Sequence, residues 1–287
     1  MRRWTVVLLG VILAFGMTAC GQEKGANGAG DGGAAQNGTN NAQGAGENNA
    51  LTLDELIQKT MEASDGLNSF SMEASVNQNI SMTQGDQKQD QKVDMTMKID
   101  TTKDPLEMYQ EIQMSVPGSG NQEIKQYITD EGVFSNMDGN WMKLPDNTKD
   151  QLLTGLEQSV SPEKQLEQFK SIAGETKVTE EGDEYVLTAE VSGDGVKELA
   201  KSLMDQSGSA NEQTAAMMEQ MNIKDIKITY AVNKETFFPT KSNIEMTLDM
   251  EAEGQSVSLE MKMNSTISKH NELAEIKVPQ EVLDSAA

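Results

Sequence analysis

Hydrophobic and polar positions along the chain fall into two regimes. Thr52 followed by Glu55 has the spacing of a capping box, and Leu51 with Leu56 fits the accompanying hydrophobic staple. Leu53, Leu56, Ile57, Thr60, Met61 and Ser64 then share one helical face, with Gly66 as the stop. From Phe70 the period changes to two. Phe70, Met72, Ala74, Val76, Ile80 and Met82 are apolar at even positions, Gln78 is the exception, and polar residues such as Glu73, Asn77 and Ser81 alternate with them. A helix cannot produce that pattern, whereas a strand with one wet face does. At about 3.3 Å per residue the strand spans about 40 Å, well beyond the usual ~17–20 Å.

The alternation returns along the chain. Val93, Met95, Met97 and Ile99 form one stripe, and Leu106, Met108, Ile112, Met114 and Val116 another after Pro105. Late stripes are Ile226 to Val232, Ile244 to Ala252 and Val257 to Met263. Shorter candidates over 123–130, 132–137, 140–144, 175–180 and 184–191 bring the count to about eleven strands. Turn signals at Asp138-Gly139-Asn140, Glu181-Gly182-Asp183 and Glu253-Gly254 separate them. Alternation without a helix between successive strands means antiparallel pairing with one face solvated. Helices interrupt the meander over 147–158, after Ser161-Pro162 (with Leu166, Phe169 and Ile172), from Asp194 (with Val196 and Leu199), and around Met217, Met218 and Met221. No internal repeat divides residues 51–287, which read as one α+β domain. A sheet of more than about 10 strands tends to curl, so the expected form is a long-stranded antiparallel sheet curled into an unclosed half-barrel around a few helices.

Residues 1–19 have the makings of a signal peptide. Arg2 and Arg3 precede an apolar run from Trp4 to Gly16, shorter than the roughly 17–25 residues of a comfortable membrane span. Met17-Thr18-Ala19-Cys20 resembles the bacterial lipobox, in which the cysteine is acylated and becomes the first residue of the mature chain. Cys20 is the one cysteine of the sequence. Two or more acyl chains such as palmitate make a stable anchor where one is marginal. The expected location is therefore the extracytoplasmic side of a cell membrane, held by an N-terminal lipid at Cys20. Gly, Ala and Asn supply 22 of the 30 positions from 21 to 50, a composition that suits a disordered tether. Gly28-Ala29-Gly30-Asp31-Gly32-Gly33 matches a dinucleotide-binding fingerprint, but no strand and helix flank it.

Composition narrows the function classes. With 46 acidic against 23 basic side chains, a net charge of −23 speaks against nucleic acid, which clustered Lys and Arg grip. One cysteine and one histidine, His270, leave no cysteine zinc cluster and no multi-histidine metal site within one chain. No nucleophile elbow, P-loop, HExxH or EF-hand pattern is present. The expectation is a non-enzymatic protein without catalytic residues, metal or cofactor.

Methionine is abundant: 19 residues against 12 aromatics. Being unbranched and polarizable, it suits adaptable apolar surfaces. The candidate ligand-binding residues are Met72, Met95, Met97, Met108, Met114, Met246, Met250, Met261 and Met263, with Trp141 as a cap at the mouth or a cross-strand packing residue. The order of these features resembles the LolA/LppX-like lipoprotein superfamily, of the uncharacterised Gram-positive type. The local carriers are Asp138-Gly139-Asn140-Trp141-Met142-Lys143, Phe237-Phe238-Pro239-Thr240-Lys241 and Ile276-Lys277-Val278-Pro279. The resemblance implies a half-barrel around helices with an apolar cavity for acyl chains. Lipid or another hydrophobic ligand is thus the expected partner. The alternative is a cell-envelope interaction or sensor module with a filled core, for which the sequence names no protein partner.

Overall fold

The computed structural model describes residues 51–118, 120–137, 139–145, 148–149, 152–153, 166, 169–170, 172–193, 195–196, 221–252 and 255–286. Residues 51–287 form a compact unit by themselves. The expected signal peptide, Cys20 and the tether lie outside the described residues, as do Ser161-Pro162, Asp194, Met217 and Met218.

Helix α1 (Leu53–Ser64) begins as its sequence dictates. The Glu55 amide donates to Thr52 Oγ1 at 3.3 Å, and the Thr52 amide donates to Glu55 Oε2 at 2.9 Å. That backbone bond from Thr52 holds the Glu55 carboxyl below its ordinary value. Leu56, Ile57, Thr60 and Ser64 are buried.

Eleven strands follow in one sheet. They are β1 (Ser69–Gln84), β2 (Gln87–Lys103), β3 (Leu106–Val116), β4 (Gly120–Thr129), β5 (Gly132–Met137) and β6 (Asn140–Lys143) in the first half. The second half contains β7 (Thr176–Glu181), β8 (Glu184–Ser192), β9 (Met221–Asn233), β10 (Pro239–Ala252) and β11 (Gln255–Ser268). Their order is β6-β5-β4-β3-β2-β1-β11-β10-β9-β8-β7. Every pairing is antiparallel, and the first and last strands meet in the middle, from Ser71 opposite Ser268 to Gln84 opposite Gln255. The edge strands β6 and β7 do not pair with each other, so the sheet is open.

Tight turns make this meander possible. Gly139, at φ 87°, joins β5 to β6, and its amide donates to Asn136 Oδ1 at 3.0 Å. A side chain there would occupy the left-handed region that glycine tolerates and most residues do not. Polar residues on the wet face form cross-strand pairs, including Lys98–Glu73 at 3.6 Å, Lys262–Glu245 at 2.8 Å and Lys227–Glu190 at 3.1 Å. Exposed as they are, such pairs stabilise little individually; they set the face that points to water.

The apolar face carries two separate closed cores. The larger packs Leu56 and Ile57 of α1, with Leu166, Phe169, Ile172 and Val196, over Leu187, Ala189 and Val191 of β8 and Ile226, Ile228 and Tyr230 of β9. The smaller joins Met108, Ile128 and Val133 to half-buried Leu106, Leu144, Leu152 and Leu153. Residues 148–149, 152–153, 166, 169–170 and 195–196 are helical, in line with three of the expected interruptions.

One expectation needs correction. Met221 does not belong to a helix; it opens β9, where a register shift between Thr247 and Leu248 of β10 brings it opposite Met250, and sheet pairing overrides helical propensity. A short helix, which the sequence pattern does not announce, follows the last strand. Helix α2 (Gln280–Ser285) follows Pro279 and buries Val282. Among the described residues, no helix is long and apolar enough to cross a membrane.

Candidate functional site

Cross-strand register assembles the methionines into adjacent rows. Met114, Met95, Val76, Met263 and Ile244 stand side by side across β3, β2, β1, β11 and β10. Two residues along, Val93, Gln78, Met261, Met246 and Ile226 form the next row. In the other direction Met97 faces Ala74, and beyond it Met72 faces Ile99 and Ile267. Met250 lies further out, opposite Val257. Side chains alternate strictly along strands, so a 16-residue β1 presents one continuous face and its register carries that face to its neighbours.

Burial separates these residues into two kinds. Met108 is 6% exposed and belongs to the smaller core with Ile128 and Val133; its place is structural, because Thr101 and Ile128 flank it in register and the Leu152–Leu153 segment packs against it. Met72, Met95, Met97, Met114, Met246, Met250, Met261 and Met263 are all half-buried. Met246 leans on the larger core, and among the described residues none of the others is part of either core. A belt of flexible apolar side chains therefore lies between two closed cores on the same face. Gln78, 7% exposed, is the one polar residue of β1 on that belt.

Trp141 is not part of it. Its register partner is Asn136, which faces Lys125, which in turn faces Glu111, and this row lies on the polar side. There the Trp141 ring packs tilted against Tyr127 at 5.6 Å, and Tyr127 tilted against Tyr109 at 4.5 Å. Phe134, Val278 and Val282 close the cluster, with Trp141, Leu283 and Ala286 packed against it. A four-residue strand cannot reveal its face from its own sequence, since a shift of one position in register exchanges the two sides. The Tyr109 hydroxyl donates to Glu111 Oε1 at 2.5 Å, and burial, followed by that bond, raises its pKa. The C-terminal segment thus covers an aromatic patch behind the sheet.

Besides Met82, opposite Val257, Met137 and Met142 are methionines absent from the candidate set that join the apolar face. Met137 stands opposite Ile124, which faces Ile112, which faces Met97. Met142 stands opposite Ser135, next to Gln126. Met137 and Met142 are the exposed large hydrophobics among the described residues, at 54% and 45%. Their signal in the sequence is two apolar residues around a Gly turn, too short to show a period.

Titratable groups form no catalytic arrangement among the described residues. His270 Nε2 lies 2.7 Å from the Pro239 carbonyl oxygen, and its ring is 5.4 Å from that of Phe238. Glu107, 5% exposed, meets the backbone amides of Asp130 and Ile276, yet its Oε2 has no partner. Burial, reinforced by nearby Asp130 and Glu275, raises its pKa. No group of three or more His, Cys, Asp or Glu among the described residues could hold a metal ion.

A family model described as a family of unknown function, DUF6612, matches residues 52–287. The chain belongs to that family. The DUF6612 match opens at the capping Thr52 and takes in the whole sheet and α2. No curated protein matches. Among solved structures, the chain is similar to LprF from Mycobacterium bovis, at 12% identity and a TM-score of 0.35 over 79% of this chain and 96% of that one. It is similar to a DUF1329 family protein from Desulfovibrio piger, at 9% identity and a TM-score of 0.23, over 73% and 90% of the two chains. A beta-barrel-like DUF1849 protein from Brucella abortus follows at 7% identity and a TM-score of 0.23, over 70% and 99%. At such scores these likenesses carry no functional argument for this DUF6612 chain.

Proposed function

We propose that the protein is a non-enzymatic lipoprotein, anchored through acylated Cys20 on the extracytoplasmic side of the cell membrane, that binds lipid acyl chains on its methionine face. The observation that carries this reading is the half-buried belt between two closed cores. Apolar side chains on a sheet face are normally buried, and a contiguous stripe of half-buried methionines between buried Val76, Val93 and Leu259 suits a ligand or interaction site. The occupant that suits the belt is itself flexible and featureless. Methionine adapts its shape to such a partner, where branched side chains hold a fixed surface. On this reading the sheet acts as a half-barrel that holds its ligand on the apolar side. The sequence resemblance to the LolA/LppX-like superfamily supports the same function, and the lipobox-like Met17-Thr18-Ala19-Cys20 supports the anchor.

Native mass spectrometry of the full-length chain, extracted gently from its own host, tests both parts. The anchor is covalent and survives denaturation, whereas a bound lipid is lost. Extra mass that disappears on denaturation is expected. Repeated recovery without it, together with no uptake of a fluorescent fatty acid, would leave the cell-envelope interaction module as the reading.

A further inference from the structure

The methionines of the apolar face repeat one constellation on either side of β1. On β2, Met95 and Met97 are successive inward residues, and Met114 of β3 stands directly opposite Met95. On β11, Met261 and Met263 are successive inward residues, and Met246 of β10 stands directly opposite Met261. Val76 faces Met95 on one side and Met263 on the other, so a single strand separates the two triads. Directly opposite residues on one face hold their Cβ atoms about 5 Å apart, and successive inward residues of a strand lie roughly 7 Å apart. Methionine has three rotatable bonds, so the three sulfurs of a triad can turn toward a common point. All six side chains are half-buried, which leaves each thioether room to turn.

The surroundings of the triads are free of charge. No charged side chain stands at an inward position of β3, β10 or β11, or of β2 before Lys103. Thioether is a neutral, soft donor of the kind that selects Cu(I), whereas carboxylate and carbonyl oxygens suit Mg, Ca and Mn. A divalent ion would bring two uncompensated charges onto this apolar face and a monovalent ion only one, so the cost of burial favours the monovalent ion. The acidic surplus of the chain, 46 side chains against 23 basic ones, raises the concentration of cations around the sheet. We propose that each triad, Met95–Met97–Met114 and Met246–Met261–Met263, binds one Cu(I) through its three thioether sulfurs. This proposal depends on sulfur, whereas the acyl-chain reading depends on apolar surface, so the two stand or fall separately.

The test titrates the full-length chain with Ag(I), a soft monovalent ion that keeps its oxidation state, and counts bound metal by native mass spectrometry. A second arm supplies Cu(I) under ascorbate in competition with bicinchoninate. The triple variants Met95→Leu/Met97→Leu/Met114→Leu and Met246→Leu/Met261→Leu/Met263→Leu replace sulfur by carbon at similar volume. Each is expected to lose one equivalent of either ion relative to wild type. Metal held by Cys20 or by other methionines is common to all the chains and cancels in the difference. Unchanged stoichiometry in a triple variant would overturn the site at that triad. Exposed Met137 and Met142 provide the control, and Met137→Leu/Met142→Leu should lose no equivalent; an equal loss there would mean that any accessible thioether binds, and would overturn the triads. Single variants guard against a fold defect: Met114→Leu and Met246→Leu should weaken binding at their own triad by about tenfold or more, the scale on which even outer-shell groups act on metal affinity. Wild-type affinity in both would refute the proposal. Fatty-acid uptake by the triple variants, which keep the face apolar, reports on lipid binding alone.

Discussion

Met95 of β2 stands directly opposite Met114 of β3, and among the described residues neither side chain belongs to a closed core. Across the centre of the sheet, Met246 and Met261 form a second facing pair between β10 and β11, with Met246 leaning on the larger core. Residues far apart in sequence are thus brought into one soft apolar belt by register alone, and its half-burial has measurable consequences.

Truncating the belt should cost far less stability than truncating the core. Met95→Ala removes side-chain surface that is still partly wet and is expected to cost about 1 kcal/mol. Leu187→Ala, in the larger core at 0% exposure, is expected to cost roughly 2–5 kcal/mol. Urea unfolding of both variants checks this. Equal losses would mean that Met95 sits in a filled interior.

Trp141 should report on the C-terminal helix and be indifferent to lipid. Trp141→Ala removes the ring that packs on Tyr127 and the Phe134–Val282 cluster. A cost of about 2 kcal/mol is expected for this half-buried ring, with faster proteolysis around residues 278–286 and unchanged fatty-acid uptake. Loss of uptake with stability intact would put the ring at the binding face instead.

Glu107 should make the fold prefer acid locally. Its folded pKa is raised above the ordinary 4.5. The stability associated with its neutral form is therefore fully present below that value and is lost as pH rises through the raised one. Glu107→Gln removes this dependence, because the amide remains uncharged. Denaturation midpoints of the variant should exceed wild type at neutral pH, with the difference shrinking in acid. A difference that does not vary with pH would show that the carboxyl titrates normally in place.

Cys20→Ser should abolish the anchor. Cells fed a clickable palmitate analogue are expected to label the wild-type chain and leave the variant unlabelled, with the variant recovered in the soluble extracytoplasmic fraction or as an unprocessed precursor. Labelling of the variant would mean that another residue carries the lipid.

Much of the architecture is legible along the chain because long strands with one wet face write their period plainly. β1 runs over the segment where Phe70 to Met82 alternate, and β5 coincides with the 132–137 stretch. Thr52 and Glu55 form the capping box that their spacing announces. Short elements are harder to read. Helix α2 has six residues and a Pro279 N-cap without a side-chain hydrogen bond, so contacts to Phe134 and Trp141 hold it in place and no local pattern reveals it. Trp141 and Met142 are adjacent on a four-residue strand, and only pairing with β5 sends the ring to one side and the thioether to the other.

By itself the sequence determined the local periods: which segments extend, which coil, and which side of each long strand is greasy. Those follow from backbone geometry and the partition of side chains between water and interior, both properties of near neighbours in the chain. Tertiary structure alone decided that β1 pairs with β11 at the centre, that Met108 is enclosed while Met95 and Met263 are not, and that the aromatic patch faces away from the methionines. Pairing, register and coverage depend on contacts between residues as far apart as Met72 and Ile267, and no local window of the chain contains both partners.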